Sequence, residues 1–168
     1  NASDGATVFV DARGGAGEKA KPDIYRDVGP SVYPNRYIVD GYENYIGYKA
    51  TIIPTMVRAL WGAHRRFGSL PWSDLLQPAI ELAENGFEVY PHIFQFWDPS
   101  RERFSDSPPP MVKLKATAEC ARIYLRDGRV YQVGETLKQE DYAATLQRIA
   151  EEGADIFYRG EIARAIAQ

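Results

Sequence analysis

Residues 59 to 91 read Ala59-Leu-Trp-Gly-Ala-His-Arg-Arg-Phe-Gly-Ser-Leu-Pro-Trp-Ser-Asp-Leu-Leu-Gln-Pro-Ala-Ile-Glu-Leu-Ala-Glu-Asn-Gly-Phe-Glu-Val-Tyr-Pro91. The spacing predicts a helix, a tight turn, a second helix and a glycine stop. The first helix starts at Thr55, just after Pro54. Val57, Leu60, Trp61, His64 and Phe67 share one face at i, i+3, i+4, i+7 and i+10. Gly68 ends it as the glycine expected just past a helix C-terminus. Trp72, Leu75, Leu76, Ala79, Ile80 and Ala83 form a second apolar stripe, interrupted by Pro78. A short first turn capped by Ser73, with Pro78 in the first turn of the main helix, reconciles the two. Gly86 stops that helix.

Working outward, Ala6 to Ala12 is a β-branched and aromatic run that reads as a strand entering the Arg13-Gly14-Gly15-Ala16-Gly17 loop. That loop lacks the Gly-Lys-Ser/Thr ending of a phosphate loop and is a plain turn. Residues 19 to 34 are extended or irregular, with three prolines. Six of the eleven tyrosines follow between Tyr25 and Tyr48 without a regular period, which favours short turns. Residues 94 to 110 form a polar, proline-punctuated loop. Ala116 to Leu125 is one short helix, and Asp127-Gly128 is a hairpin turn signal. Asp141 opens a third clear helix, with Tyr142, Leu146, Ile149 and Ala150 inward and Gly153 as its stop. Glu161 to Ala167 is a fourth.

The chain of 168 residues, 45% of them hydrophobic, can bury a core of ordinary size. A net charge of −3 and scattered basic residues argue against a nucleic-acid partner. A single cysteine, Cys120, excludes an internal disulfide framework and a multi-cysteine metal site. It reads as a small buried hydrophobe. His64 reads as a core histidine, and His92 has no carboxylate or cysteine at ligand spacing. Glu81, Glu84 and Glu88 form a solvated helix face. No run approaches the roughly 18 apolar residues of a membrane span. The opening Asn1-Ala2-Ser3-Asp4 reads as the start of a piece of a longer protein.

The block quoted above resembles a signature of the γ-glutamyltransferase (γ-glutamyltranspeptidase) large subunit. There, an alanine- and histidine-containing helix leads into Phe-Gly-x-Leu-Pro-Trp, a Leu-x-Pro-Ala-Ile helix and a Gly-Phe exit. A second block is similar to the same family: Asp127-Gly-Arg-Val-Tyr-Gln-Val-Gly-Glu-Thr-Leu-Lys-Gln139, then Tyr142 to Leu146 and Ile149 to Gly160. Together they cover roughly the last two thirds of the chain. The resemblance implies an α+β fold: the largely helical large-subunit portion of an Ntn-hydrolase αββα sandwich, with one or two N-terminal strands. It implies one partial domain over 1–168, with a strand and a tyrosine-rich irregular region at 1–50 and a mainly helical region at 51–168.

For function, the resemblance implies an N-terminal-nucleophile enzyme that transfers or hydrolyses γ-glutamyl groups of glutathione-type amides. The threonine nucleophile belongs to a small catalytic subunit cut from the same precursor, so this polypeptide alone is expected to be inert. No cofactor is implied, and a periplasmic or secreted home is. The family carries an Arg-Glu-x-Ala-Pro motif shortly after the early strand, whose arginine grips the substrate α-carboxylate. Tyr25-Arg26-Asp27-Val28-Gly29-Pro30 stands in for it, with Arg26 matching the arginine and Pro30 the proline. A guanidinium suits a planar carboxylate because it donates two parallel hydrogen bonds.

The chain departs from the pattern at Ile53-Pro54-Thr55 (usually Val-Pro-Gly), at Ala59 (usually glycine), at Asp4-Gly5 and in its tyrosine-rich stretch. These departures bear on specificity more than on fold. The alternatives are another acyl amide hydrolase, such as the related cephalosporin acylases, and a catalytically silent relative serving as a binding domain.

Overall fold

The computed structural model describes residues 5–31, 33–34, 37–100 and 107–168, so the opening Asn1 to Asp4 and part of the expected polar loop lie outside the described residues. The chain divides into two compact units, each assembled from separate stretches. The first comprises Asn1–Ala16, Ile52–Gly86 and Lys138–Gln168, and the second comprises Gly17–Thr51 and Phe87–Leu137.

The first unit is helical. Helix α1 spans Met56–Phe67 and α2 spans Trp72–Asn85. Helices α6 (Glu140–Glu152), α7 (Asp155–Tyr158) and α8 (Glu161–Ala167) come from the C-terminal stretch. Helices α2 and α6 pack most extensively, burying Ile80 and Ala83 of one and Ala143 and Ile149 of the other. Trp61 of α1 meets Trp72 of α2 edge-on at 5.0 Å between centroids, and His64 lies 5.2 Å from Trp72. The Trp72 indole N–H donates to the carbonyl of Ile149 at 3.0 Å, tying α2 to α6. Near the start of α1, the Arg58 backbone N–H donates to the Tyr158 hydroxyl at 3.0 Å, and the Arg58 guanidinium lies 4.4 Å over the same ring.

The expected helices of the quoted block and the helix opening near Asp141 are present, with four corrections. Leu60 and Phe67 are exposed, together with Met56. Only Val57, Trp61 and His64 of the expected α1 face turn inward. The apolar arc of α1 is wider than the surface packed against it, so one flank is left open. In α2, Leu75 and Ala79 are likewise exposed. Second, α2 is one continuous helix through Pro78, with Pro71 rather than Ser73 at its N-cap. Pro78 and Asp74 are both exposed, so the carbonyl that loses its i+4 donor can be hydrated. Third, Gly68 stops α1 without a left-handed conformation (φ −71°). It must be glycine because a Cβ there would sit on the His64 ring and 2.6 Å from the His64 carbonyl oxygen. Fourth, Tyr142 is exposed, and α6 turns the small Ala143 inward in its place.

Residues 6 to 12, expected as a strand, form no ladder among the described residues, and Val8, Phe9 and Val10 are exposed. A β-run is held by a ladder to a neighbouring backbone, and none is formed among the described residues. Its far end is fixed: Gly15 bridges Ile53, and the Thr55 hydroxyl donates to the Ala12 carbonyl at 2.6 Å.

The second unit supplies the strands. β1 (Asp27–Pro30) and β2 (Tyr37–Val39) pair antiparallel with an irregularity between Asp27 and Gly29. Residues 19 to 34, expected to be irregular, therefore contain an N-terminal strand. Two 3-10 turns, Asp40–Tyr42 and Tyr48–Ala50, carry much of the tyrosine-rich stretch. β3 (Phe87–Glu88) is followed by short helices α3 (Pro91–Phe94), α4 (Pro110–Leu114) and α5 (Ala118–Tyr124), where Thr117 accepts from the Cys120 backbone N–H as N-cap. β4 (Leu125–Arg126) and β5 (Arg129–Val130) form the expected hairpin, with Asp127 and Gly128 at φ 53° and 77° as a type I′ turn requires. β6 (Thr136–Leu137) pairs with β3. Val89 and Leu137 are the most deeply buried side chains.

A carboxylate clasp closes this hairpin region. Glu135 accepts both Arg129 guanidinium nitrogens at 2.8 and 2.7 Å and the Gln132 backbone N–H at 2.7 Å, with Arg126 3.5 Å away. The Arg129 bonds, followed by the Gln132 N–H, hold its carboxyl down from 4.5 to about 2. Because the folded-state value lies below the unfolded one, the clasp contributes stability above pH 4.5, and this is lost as pH falls toward 2. In acid-unfolding curves, Glu135→Gln is expected to flatten the fall in stability over that window. An unchanged slope would show that the clasp does not couple to folding.

Candidate functional site

Arg26 immediately precedes β1. Its backbone carbonyl accepts the Asp40 N–H at 2.9 Å, which holds the start of β1 against the end of β2. Its guanidinium reaches Asp40 Oδ2 at 3.4 Å through Nη1 alone, and its side chain is 79% exposed. A single long contact to an exposed carboxylate is a weak tether. Among the described residues its remaining donors are unengaged, so the fork can still take a second carboxylate in bidentate fashion. Next to it, the Tyr25 hydroxyl donates to the Lys49 carbonyl at 2.6 Å, and Lys49 pairs with Glu43 at 2.7 Å. These bonds fasten the tyrosine-rich turns to the base of β1. Tyr37 and Tyr48 stand out from them into solvent, Tyr48 almost completely.

Arg13 is a second guanidinium that reading the chain as a plain turn passed over. It follows the 6–12 run directly, and its Nε and Nη2 donate to the two carboxylate oxygens of Asp11 at 3.3 and 3.0 Å. These side-chain bonds, with the Arg13 backbone N–H also on Asp11, hold the Asp11 carboxyl below its usual range. The loop backbone is anchored through Ala12 and Gly15, as described above. A signal was present in the sequence: Arg13-Gly-Gly-Ala16 reproduces the arginine and the alanine of the five-residue motif, where Arg26 to Pro30 reproduces the arginine and the proline.

The other polar candidates are occupied structurally. His64 Nε2 lies 2.8 Å from the Leu70 carbonyl oxygen, an acceptor only, so Nε2 carries the proton and the ring is a structural strut across the Phe67–Trp72 turn. His92 Nδ1 pairs with the Gln95 amide. Cys120 is half-buried and has no histidine beside it among the described contacts. No group of three or more His, Cys, Asp or Glu side chains suited to a metal occurs among the described residues. No helix of the described residues is long and apolar enough to cross a membrane. Among the described residues, the candidate site thus shows two exposed guanidinium groups and no assembled nucleophile and base.

The family model for gamma-glutamyltranspeptidase matches residues 1–168. This chain belongs to the gamma-glutamyltranspeptidase family. It is 36% identical over 166 residues to the glutathione hydrolase proenzyme of Pseudomonas aeruginosa, covering 95% of this chain and 25% of that protein. It is 35% identical over 164 residues to the acylase ACY 1 proenzyme of Pseudomonas sp. (strain V22), covering 98% of this chain and 27% of that protein. The crystal structure of Helicobacter pylori gamma-glutamyltranspeptidase superposes with a TM-score of 0.75 at 25% identity, over 94% of this chain and 40% of that one. The chain therefore spans about a quarter of the length of the curated relatives it matches. The family is one of enzymes, and the α+β, large-subunit assignment holds for this member. The word proenzyme in the relatives' names describes precursors that are processed.

Proposed function

We propose that this chain is the large-subunit scaffold of an N-terminal-nucleophile amidase whose preferred substrates are γ-glutamyl amides of the glutathione type. The observation that carries this reading is the family match along the whole chain. In the chemistry that the resemblance implies, a threonine at the start of the small subunit attacks the γ-amide carbonyl. Its own α-amino group serves as base, and backbone N–H groups stabilise the oxyanion. Water or an amino acceptor then resolves the acyl-enzyme. The small subunit from the same precursor is the proposed partner. The periplasmic or secreted location rests on the resemblance, and cell fractionation tests it.

The part proposed for this chain is recognition of the glutamyl α-carboxylate. Arg26 is the first candidate, because its guanidinium is exposed and only loosely tethered. Arg13 is the second, favoured by its place directly after the 6–12 run, where the family motif stands. In the processed full-length protein, alanine at the responsible arginine is expected to raise KM for a chromogenic γ-glutamyl anilide by roughly 10- to 100-fold, the value of a charge-assisted pair. Alanine at the other should leave KM unchanged. If neither substitution moves KM, this carboxylate-binding role is wrong for both.

A second reading, an acyl amide hydrolase, is favoured by the 35% identity to an acylase proenzyme. A glutaryl amide lacks only the α-amino group of the γ-glutamyl substrate. Preference for the γ-glutamyl anilide supports the first reading, and preference for the glutaryl amide supports the second. No turnover of either by the processed protein would overturn both.

A further inference from the structure

Tyr25 stands directly before Arg26 and opens the tyrosine-rich stretch. Its side chain is half-buried, and its hydroxyl donates to the Lys49 carbonyl at 2.6 Å, 24 residues further along. Upstream, the backbone bonds join near neighbours: the Ala20 N–H meets the Gly17 carbonyl, and the Ile24 N–H meets the Lys21 carbonyl. Tyr25 is therefore where this stretch is tied to a distant part of the fold.

The bond closes a circuit of contacts around Arg26. The Arg26 carbonyl accepts the Asp40 N–H at 2.9 Å, and the Asp40 carbonyl accepts the Glu43 N–H at 3.3 Å. The Glu43 carboxylate pairs with the Lys49 ammonium at 2.7 Å, and the Lys49 carbonyl receives the Tyr25 hydroxyl. Lys49 lies in the turn Tyr48–Ala50, whose Tyr48 carbonyl accepts both the N–H and the hydroxyl of Thr51. The backbone is thus held on both sides of the Arg26 Cα. The guanidinium itself has one 3.4 Å contact, to the exposed Asp40 carboxylate. Such a contact aims a long side chain weakly. The reach of the guanidinium is set by the backbone that carries it, and small displacements of a substrate-holding group are costly.

We propose that Tyr25 is a positioning residue for Arg26. Its hydroxyl closes the circuit, fixes the direction in which residue 26 leaves the backbone, and so presents the guanidinium to the substrate carboxylate. The inference rests on the carboxylate-binding role proposed for Arg26. It gives the Asp40–Ala50 turns a function: they are the frame to which the binding residue is bolted.

The test uses the full-length processed protein and a chromogenic γ-glutamyl anilide. Tyr25→Phe keeps the aromatic ring and removes the hydroxyl. It should raise KM by roughly three- to tenfold, the value of one hydrogen bond, with kcat little changed. Loss of folded protein lowers the apparent kcat and leaves KM untouched, so the readout survives a partly unfolded variant. In an Arg26→Ala background, Tyr25→Phe should leave KM where Arg26→Ala put it, because no guanidinium remains to be aimed. A rise in KM of the same factor in both backgrounds would show that the hydroxyl acts independently of Arg26 and would overturn the proposal. An unchanged KM in Tyr25→Phe, beside a raised KM in Arg26→Ala, would also overturn it and leave the Arg26 reading standing. An unchanged KM in Arg26→Ala overturns both together.

Discussion

Replacing Trp72 by alanine is expected to destabilise the protein by about 3 kcal/mol, toward the lower end for a large-to-small aromatic substitution because Trp72 is only half-buried. The side chain acts in two ways. Its ring packs edge-on to Trp61 at 5.0 Å and against His64 at 5.2 Å, so removing it opens the junction of α1 and α2. Its indole N–H also donates to the Ile149 carbonyl, which already accepts the Gly153 N–H at the end of α6. Trp72→Phe separates these contributions. It keeps most of the packing and loses the hydrogen bond, and should cost about 1 kcal/mol. Thermal or urea unfolding of the three proteins measures both values. A Phe variant as unstable as the Ala variant would place the energy in the N–H, and an Ala variant within 1 kcal/mol of the parent would show that the junction is not part of the cooperative core.

The second large effect is expected at Gly153, where Gly153→Ala meets two independent penalties. The backbone lies at φ 76°, ψ −171°, a conformation that is essentially confined to glycine. That alone costs about 1–3 kcal/mol for a residue with a Cβ. A Cβ there would also stand 3.2 Å from two carbons of the Trp61 indole, so the ring must move. Combining Gly153→Ala with Trp61→Phe relieves the second penalty and leaves the first. The double variant should therefore be more stable than the sum of the two single changes predicts, measured as a double-mutant cycle. Strict additivity would mean that the Trp61 contact contributes nothing and that backbone strain accounts for the whole loss.

Both predictions fall on residues whose roles were only half legible in the chain. Trp61 and Trp72 read as apolar positions of two amphipathic helices, and they are. Their edge-on meeting, and the bond from Trp72 to a carbonyl 77 residues away, depend on α6 lying against α2. Gly153 read as a helix stop and is one, but its closeness to Trp61 is a tertiary fact. Gly68 shows the same division: it ends α1 as expected, through crowding by His64 and not through a left-handed turn.

The candidate site was less legible than the fold. Arg26 was found by matching a motif, which locates a residue in order along the chain but not in space. Its loose pairing with Asp40 depends on the β1–β2 register, which a stretch with three prolines and no period does not announce. Arg13 was passed over because its loop was weighed only as a phosphate-binding turn. Glu84 read as part of a solvated helix face, and it is exposed.

By itself the sequence determined the long helices, the Asp127-Gly128 hairpin and the family, because these rest on local periodicity, turn chemistry and residue order. Only the tertiary structure decided which apolar positions are covered. It left Leu60, Phe67, Leu75 and the 6–12 run open and buried Ala143 where Tyr142 was expected. The reason is physical: periodicity sets the face a side chain shares, but burial requires a second surface, and that surface comes from residues distant in the chain.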